Sequence, residues 1–103
     1  IINGDIPSKK IYEDDEVIVF NDVHPIAPVH FLIVPRLHVE SLAGYGVAHE
    51  KLLGSMLLLA PKLAGERGLK GFRTMINTGR EGGQEVFHMH MHVFGGGATL
   101  PKT

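Results

Sequence analysis

The chain has 103 residues, 44% of them hydrophobic, and a formal net charge of -1; this fits one domain spanning 1–103 and argues against disorder and against a nucleic-acid partner, whose backbone calls for a basic excess. It contains no cysteine, which excludes disulfides and thiolate zinc clusters within the chain, and no apolar run approaches the roughly 20 residues that span a bilayer. With no signal peptide visible in a sequence that opens at Ile1, a cytoplasmic location and no membrane partner are the expectations, and so small a domain would gain stability from a partner subunit.

In chain order, Gly4 to Pro7 reads as a turn and Lys10 to Glu13 as a short strand closed by an Asp14-Asp15 turn. Val17 to Phe20, β-branched and aromatic, reads as a second strand. Pro25 and Pro28 break the chain, because each fixes φ and removes a backbone donor. His30 to Val34 forms a third, mostly buried strand that ends at Pro35. From about His49 to Arg67, residues Leu52, Leu53, Met56, Leu57, Ala60, Leu63 and Ala64 recur at spacings of three and four, so the segment should be a helix with one apolar face. Pro61 predicts a kink or a break in it. Gly68 and Gly71 stop the helix, and two more strands follow, Phe72 to Asn77 and about Val86 to Phe94. Strands joined by short turns plus one long helix give an α+β fold, an antiparallel sheet covered by helix on one face.

Three histidines fall in the run His88-Met89-His90-Met91-His92. Alternate side chains of a strand share a face, so His88, His90 and His92 point one way while Met89, Met91 and Val93 pack the core. A single strand histidine is ordinarily a satisfied polar side chain, but a structural role offers no reason for a threefold repeat. Two chemistries compete. Rings at i and i+2 can chelate one ion, although residues i and i+4 lie about 13 Å apart along the backbone, so an ion would take two rings and a distant ligand. Alternatively, neutral imidazole is a nucleophile toward phosphorus near pH 7, and neighbouring rings disfavour charging one another. The preceding loop, Asn77 to Glu85, favours the second: Gly82 and Gly83 let main-chain N–H groups approach an anion, and Asn77 and Gln84 add uncharged donors. His24 and His49 read as solvated surface, and Arg36 and Arg80 are left outside the site.

Gly82 to Gly96, Gly-Gly-Gln-Glu-Val-Phe-His-Met-His-Met-His-Val-Phe-Gly-Gly, resembles the signature of the histidine-triad nucleotide-binding proteins, the Hint branch in particular. Ile6-Pro7-Ser8, Tyr12 to Asp15, Phe20 to Val23, Ala27 to Phe31 and Val34 to His38 follow the same pattern, so the resemblance covers nearly the whole chain. It implies a five-stranded antiparallel sheet with one long helix and short helical segments, the sheet continuing across a homodimer. It implies purine nucleoside 5'-phosphoramidate hydrolysis through a covalent nucleotidyl-His90 intermediate, with a purine nucleotide of the AMP or GMP type as ligand and no cofactor or metal. His92 then contacts the phosphate, His88 supports the nucleophile through its backbone carbonyl, and His30 joins the polar relay behind them. Asn77 and Gly83 fall on the phosphate side, Asp22 on the ribose hydroxyls, and Phe20 with Ile6 against the base; Gln84, as a donor of the same loop, is counted with the nucleotide-binding residues. Glu85 stands where many animal relatives carry a serine, and a carboxylate there would attract a cationic leaving amine. Some bacterial relatives hold zinc through a Cys pair and a histidine at the position of His38; no Cys is present here. A dinucleoside polyphosphate hydrolase, or a non-catalytic nucleotide- or metal-binding protein, are the alternatives.

Overall fold

The structure is a computed structural model that describes residues 10–101. Five strands form one antiparallel sheet: β1 (Lys10–Glu13), β2 (Val17–Asn21), β3 (Val29–Pro35), β4 (Arg73–Met75) and β5 (Met91–Gly95), in the order β1-β2-β3-β5-β4. Among the described residues one α-helix, α1 (Glu50–Glu66), follows two short 3-10 turns at Leu42–Gly44 and Val47–His49. The α+β architecture is the expected one.

Local chemistry explains the first hairpin. The Oδ1 of Asp14 accepts the N–H groups of Glu16 and Val17 at 2.8 and 2.9 Å, closing the turn the Asp pair predicted. Strand alternation then divides the sheet in two. Val17, Val19, Phe31, Ile33, Met91 and Val93 are buried with Leu52, Met56, Ala60, Leu63 and Ala64 of α1. Each of the Val, Leu, Ile, Phe and Met side chains among them stabilises the fold by roughly 1.5–3 kcal/mol relative to exposure. The opposite face carries a second, smaller apolar cluster, Ile18, Phe20, Leu32 and Val34. Across the central strands Leu32 pairs with His92 and His30 with Phe94, so the polar residues of the site emerge from this second face.

Four expectations need correction. The helix runs through Pro61 without a break; Pro61 and Leu57, whose carbonyl the ring leaves without its helical partner, both lie on the exposed side of α1, where the lost bond costs less than in a buried stretch. Leu57 is accordingly not on the buried face. The fourth strand is shorter than Phe72 to Asn77, and the fifth begins at Met91 rather than near Val86. The two shortfalls share a cause. β4 pairs only with β5, and its ladder ends at Met75 opposite His92; the chain before Met91 leaves the ladder and bonds instead to the segment after β3.

Candidate active site

A cleft of about 450 Å³ opens on the second face of the sheet. Phe20, Leu32 and Val34 form an apolar wall with Val23 and Ile26 beside them, and His30, His88, His90 and His92 form the polar wall, with Asp22, Asn77, Gly83 and Glu85 also in the lining. His88 and His90 lie outside β5, yet the alternation holds in the extended chain: Met89, Met91 and Val93 are buried in the core while the three histidines border the cleft. Gly83 takes φ +93°, a conformation that few L side chains adopt, and it lies against the Asn77 side chain.

The ring tautomers follow from their partners. A carbonyl only accepts, so His90 donates Nδ1–H to the His88 carbonyl at 2.8 Å and is left with a bare Nε2. His30 Nδ1 accepts the N–H of Ile26 at 3.1 Å, which puts the His30 proton on Nε2. That nitrogen lies 3.0 Å from His92 Nδ1 and 3.3 Å from Asp22 Oδ2, and its proton is donated to His92. His92 therefore accepts through Nδ1 and carries its own proton on Nε2, its ring edge-on to His90 at a centroid distance of 5.0 Å. His88 donates Nε2–H to the Pro35 carbonyl at 2.7 Å.

Burial disfavours the charged form of His92, His30 and His88. It pushes His92 down to about 4, helped by His90 and His30 and opposed by Asp22. Burial also lowers His30, against the pull of Asp22, and lowers His88, against its bond to the Pro35 carbonyl. No lysine or arginine lines the cleft among the described residues. Arg36 pairs with Glu13 at 2.6 Å, and Arg80 lies over the Phe87 ring.

Asp22 Oδ2, His30 Nε2 and His92 Nδ1 are mutually 3.0, 3.3 and 3.8 Å apart, near the roughly 3.3 Å edge of a tetrahedral ligand set. An ion there would need a lone pair at His30 Nε2. Ile26 already holds the Nδ1 lone pair, so Nε2 carries the proton. The trio is arranged as a hydrogen-bonded relay.

Most of the expected site residues converge on this one cleft: His88, His90, His92, His30, Asp22, Phe20, Asn77, Gly83 and Glu85. Ile6 lies outside the described residues. Gln84 is the correction. It is 3% exposed, donates Nε2–H to the Glu40 and Val86 carbonyls, and accepts the Gly79 N–H at 2.8 Å. Its amide shapes the loop instead of facing the cleft, because a buried amide must be satisfied by the chain. His24, read as solvated, is exposed but borders the cleft, with its N–H on Asp22 Oδ1 at 2.9 Å. His49 accepts the Gly46 N–H at 3.1 Å and so is tied to the chain ahead of α1. Val23, Ile26, Leu32, Val34, Met75 and Val86 also line the cleft and were missed. Leu32 and Val34 were detectable, since they share the strand parity of His30; the others depend on how loops fold over the sheet.

A small α+β domain that aligns three imidazoles beside a glycine-bounded cleft is a histidine-triad protein. The sequence profile of the HIT domain family matches residues 3–99, and the chain belongs to that family. It is 49% identical over 92 residues to protein HitA of Neisseria gonorrhoeae, 88% of this chain and 86% of that one. It is 44% identical over 98 residues to purine nucleoside phosphoramidase of Escherichia coli, covering 93% and 82%. A histidine triad protein from Clostridium difficile matches its fold with a TM-score of 0.90 at 42% identity, covering 99% of this chain and 90% of that one. A HIT family hydrolase from Legionella pneumophila matches with a TM-score of 0.89 at 38% identity, covering 95% and 89%. The chain is a hydrolase of this family.

Proposed function

We propose that the chain cleaves the P–N bond of purine nucleoside 5'-phosphoramidates through a nucleotidyl-His90 intermediate. One observation carries the reading: the His90 Nδ1 proton is bound by the His88 carbonyl, which leaves the Nε2 lone pair as the free nucleophile. The base lies against Phe20 and its apolar neighbours, and Asp22 takes the ribose; its carboxylate has lone pairs beyond those facing His24 and His30. Nε2 attacks phosphorus in line as the P–N bond to the amine breaks, and the amine nitrogen takes a proton from solvent as it leaves, which the later attack of water on phosphorus returns. His92 Nε2–H and the donors of Asn77 and the Gly83 loop hold the phosphoryl oxygens. Water then cleaves the P–Nε2 bond, which releases the nucleoside monophosphate and restores His90.

The electrostatics favour this substrate over a dinucleoside polyphosphate. Asp22 and Glu85 bring two carboxylates to a cleft with no lysine or arginine in its lining among the described residues, a poor setting for extra phosphate charge. We also infer a homodimer: the exposed apolar side chains of Val47, Leu57 and Leu58 call for cover, and light scattering on the purified chain that finds only monomer at micromolar concentration would reject it.

His90→Ala should lose more than about a thousandfold in turnover while nucleotide affinity stays within about threefold. Rapid quenching with substrate labelled at phosphorus should trap a protein adduct in the wild type and none in the variant. An active alanine variant would overturn the assignment.

A further inference from the structure

The proposed nucleophile sits on chain that the sheet does not hold. The ladder between β3 and β5 ends at Ile33 opposite Met91, and residues 86–90 run on without a strand partner. Bonds to Pro35 and the turn after it replace the ladder. His88 Nε2–H binds the Pro35 carbonyl at 2.7 Å, His38 Nε2–H binds the Phe87 carbonyl at 3.0 Å, and the Met89 N–H binds the Val39 carbonyl at 2.9 Å. Gln84 reaches the Glu40 carbonyl from the loop before them.

The result is that His88 is held on every side. The peptide that follows it presents its carbonyl to His90 and its N–H to Val39. The peptide that precedes it is held by His38, whose ring also stacks on the His88 ring at 4.9 Å with planes 10° apart. His38 itself is exposed and lies outside the cleft lining. A surface histidine needs neither contact, since water serves both its nitrogens, and each contact reduces its rotamer freedom. Their shared effect is to fix the backbone at His88. We infer that His38 is a positioning residue: by gripping Phe87 and His88 it aims the His88 carbonyl that orients the His90 ring. The inference rests on His90 being the nucleophile.

The test uses the full chain and reads His90 in two ways. Imidazole nitrogen NMR without substrate should find wild-type His90 in one tautomer, protonated at Nδ1. His38→Ala and His38→Phe, of which the second keeps a ring to stack, should both shift His90 toward a tautomer mixture. With adenosine 5'-phosphoramidate, kcat should fall about tenfold in His38→Ala while KM stays within about twofold, as expected for lost orientation of a reacting group. His38→Gln, whose amide N–H reaches the position of the ring Nε2–H, should recover most of both. A wild-type tautomer and wild-type kcat in the alanine variant would overturn the role. So would a kcat loss with an unaltered spectrum, or a loss that the glutamine variant fails to recover. If the wild-type chain turns over no phosphoramidate, the proposed function fails, while the His90 spectrum still judges the positioning role on its own.

Discussion

His90 and His92 sit two residues apart with opposite tautomers, and their neighbours make them so. One gives its Nδ1 proton to a carbonyl, while the other receives a proton at Nδ1 from His30. Residue type announces a histidine's range of chemistry, but the choice within that range depends on which backbone group lies beside each nitrogen. Gln84 makes the same point in reverse, because a donor next to a glycine pair invites a ligand role, yet its amide is taken up by Gly79, Glu40 and Val86. Glu85 is exposed at the cleft, where a carboxylate favours a cationic leaving amine. Glu85→Ser should lower kcat/KM for a phosphoramidate with a cationic amine by about two- to fivefold relative to a neutral one, since an exposed charge pair contributes at most about 1 kcal/mol. Equal preference in competition assays would remove the hypothesis.

At the scale of elements, periodicity located every strand, and the boundaries shifted where pairing partners ran out. An extended segment keeps its alternation of two whether or not a neighbour bonds to it. The pattern Met89, Met91, Val93 therefore reads as one strand, although only the part from Met91 is in the sheet. This early exit has a chemical consequence, because a carbonyl outside the ladder is free to accept from His90. Pro61 illustrates the other limit, since α1 absorbs it on an exposed side. Pro61→Ala restores a helical N–H but loosens the unfolded chain. The net expectation is a gain of about 2 kcal/mol in urea unfolding, from the roughly 3 kcal/mol difference in helix propensity less an entropy term of up to about 1 kcal/mol; a loss of stability would mean that the proline fits its site better than helix energetics allow.

At the scale of the whole molecule, the buried rings tie stability to pH. In the folded chain His92 titrates near 4, below its ordinary 6.5, and His30 and His88 are displaced the same way. Between those two values the unfolded chain binds protons that the folded chain refuses, so stability is complete above about pH 6.5 and falls as the pH drops toward 4. His92 alone contributes about 3 kcal/mol to that difference. Urea midpoints measured from pH 7 to pH 4.5 should decline accordingly, and His92→Asn should flatten the decline; a flat wild-type profile would mean that the rings are not sealed from water. The sequence by itself determined the α+β class, the two faces of the sheet, the core stripe of α1 and the alignment of three imidazoles, because those follow from the periods of local backbone geometry. Tertiary structure alone decided which ring nitrogens carry protons, that Gln84 supports the loop, that Val23 and Ile26 flank the cleft, and that residues 35–40 hold the His90 segment. Each of these depends on contact between residues distant in the chain, and no local pattern records which distant carbonyl will face a given ring.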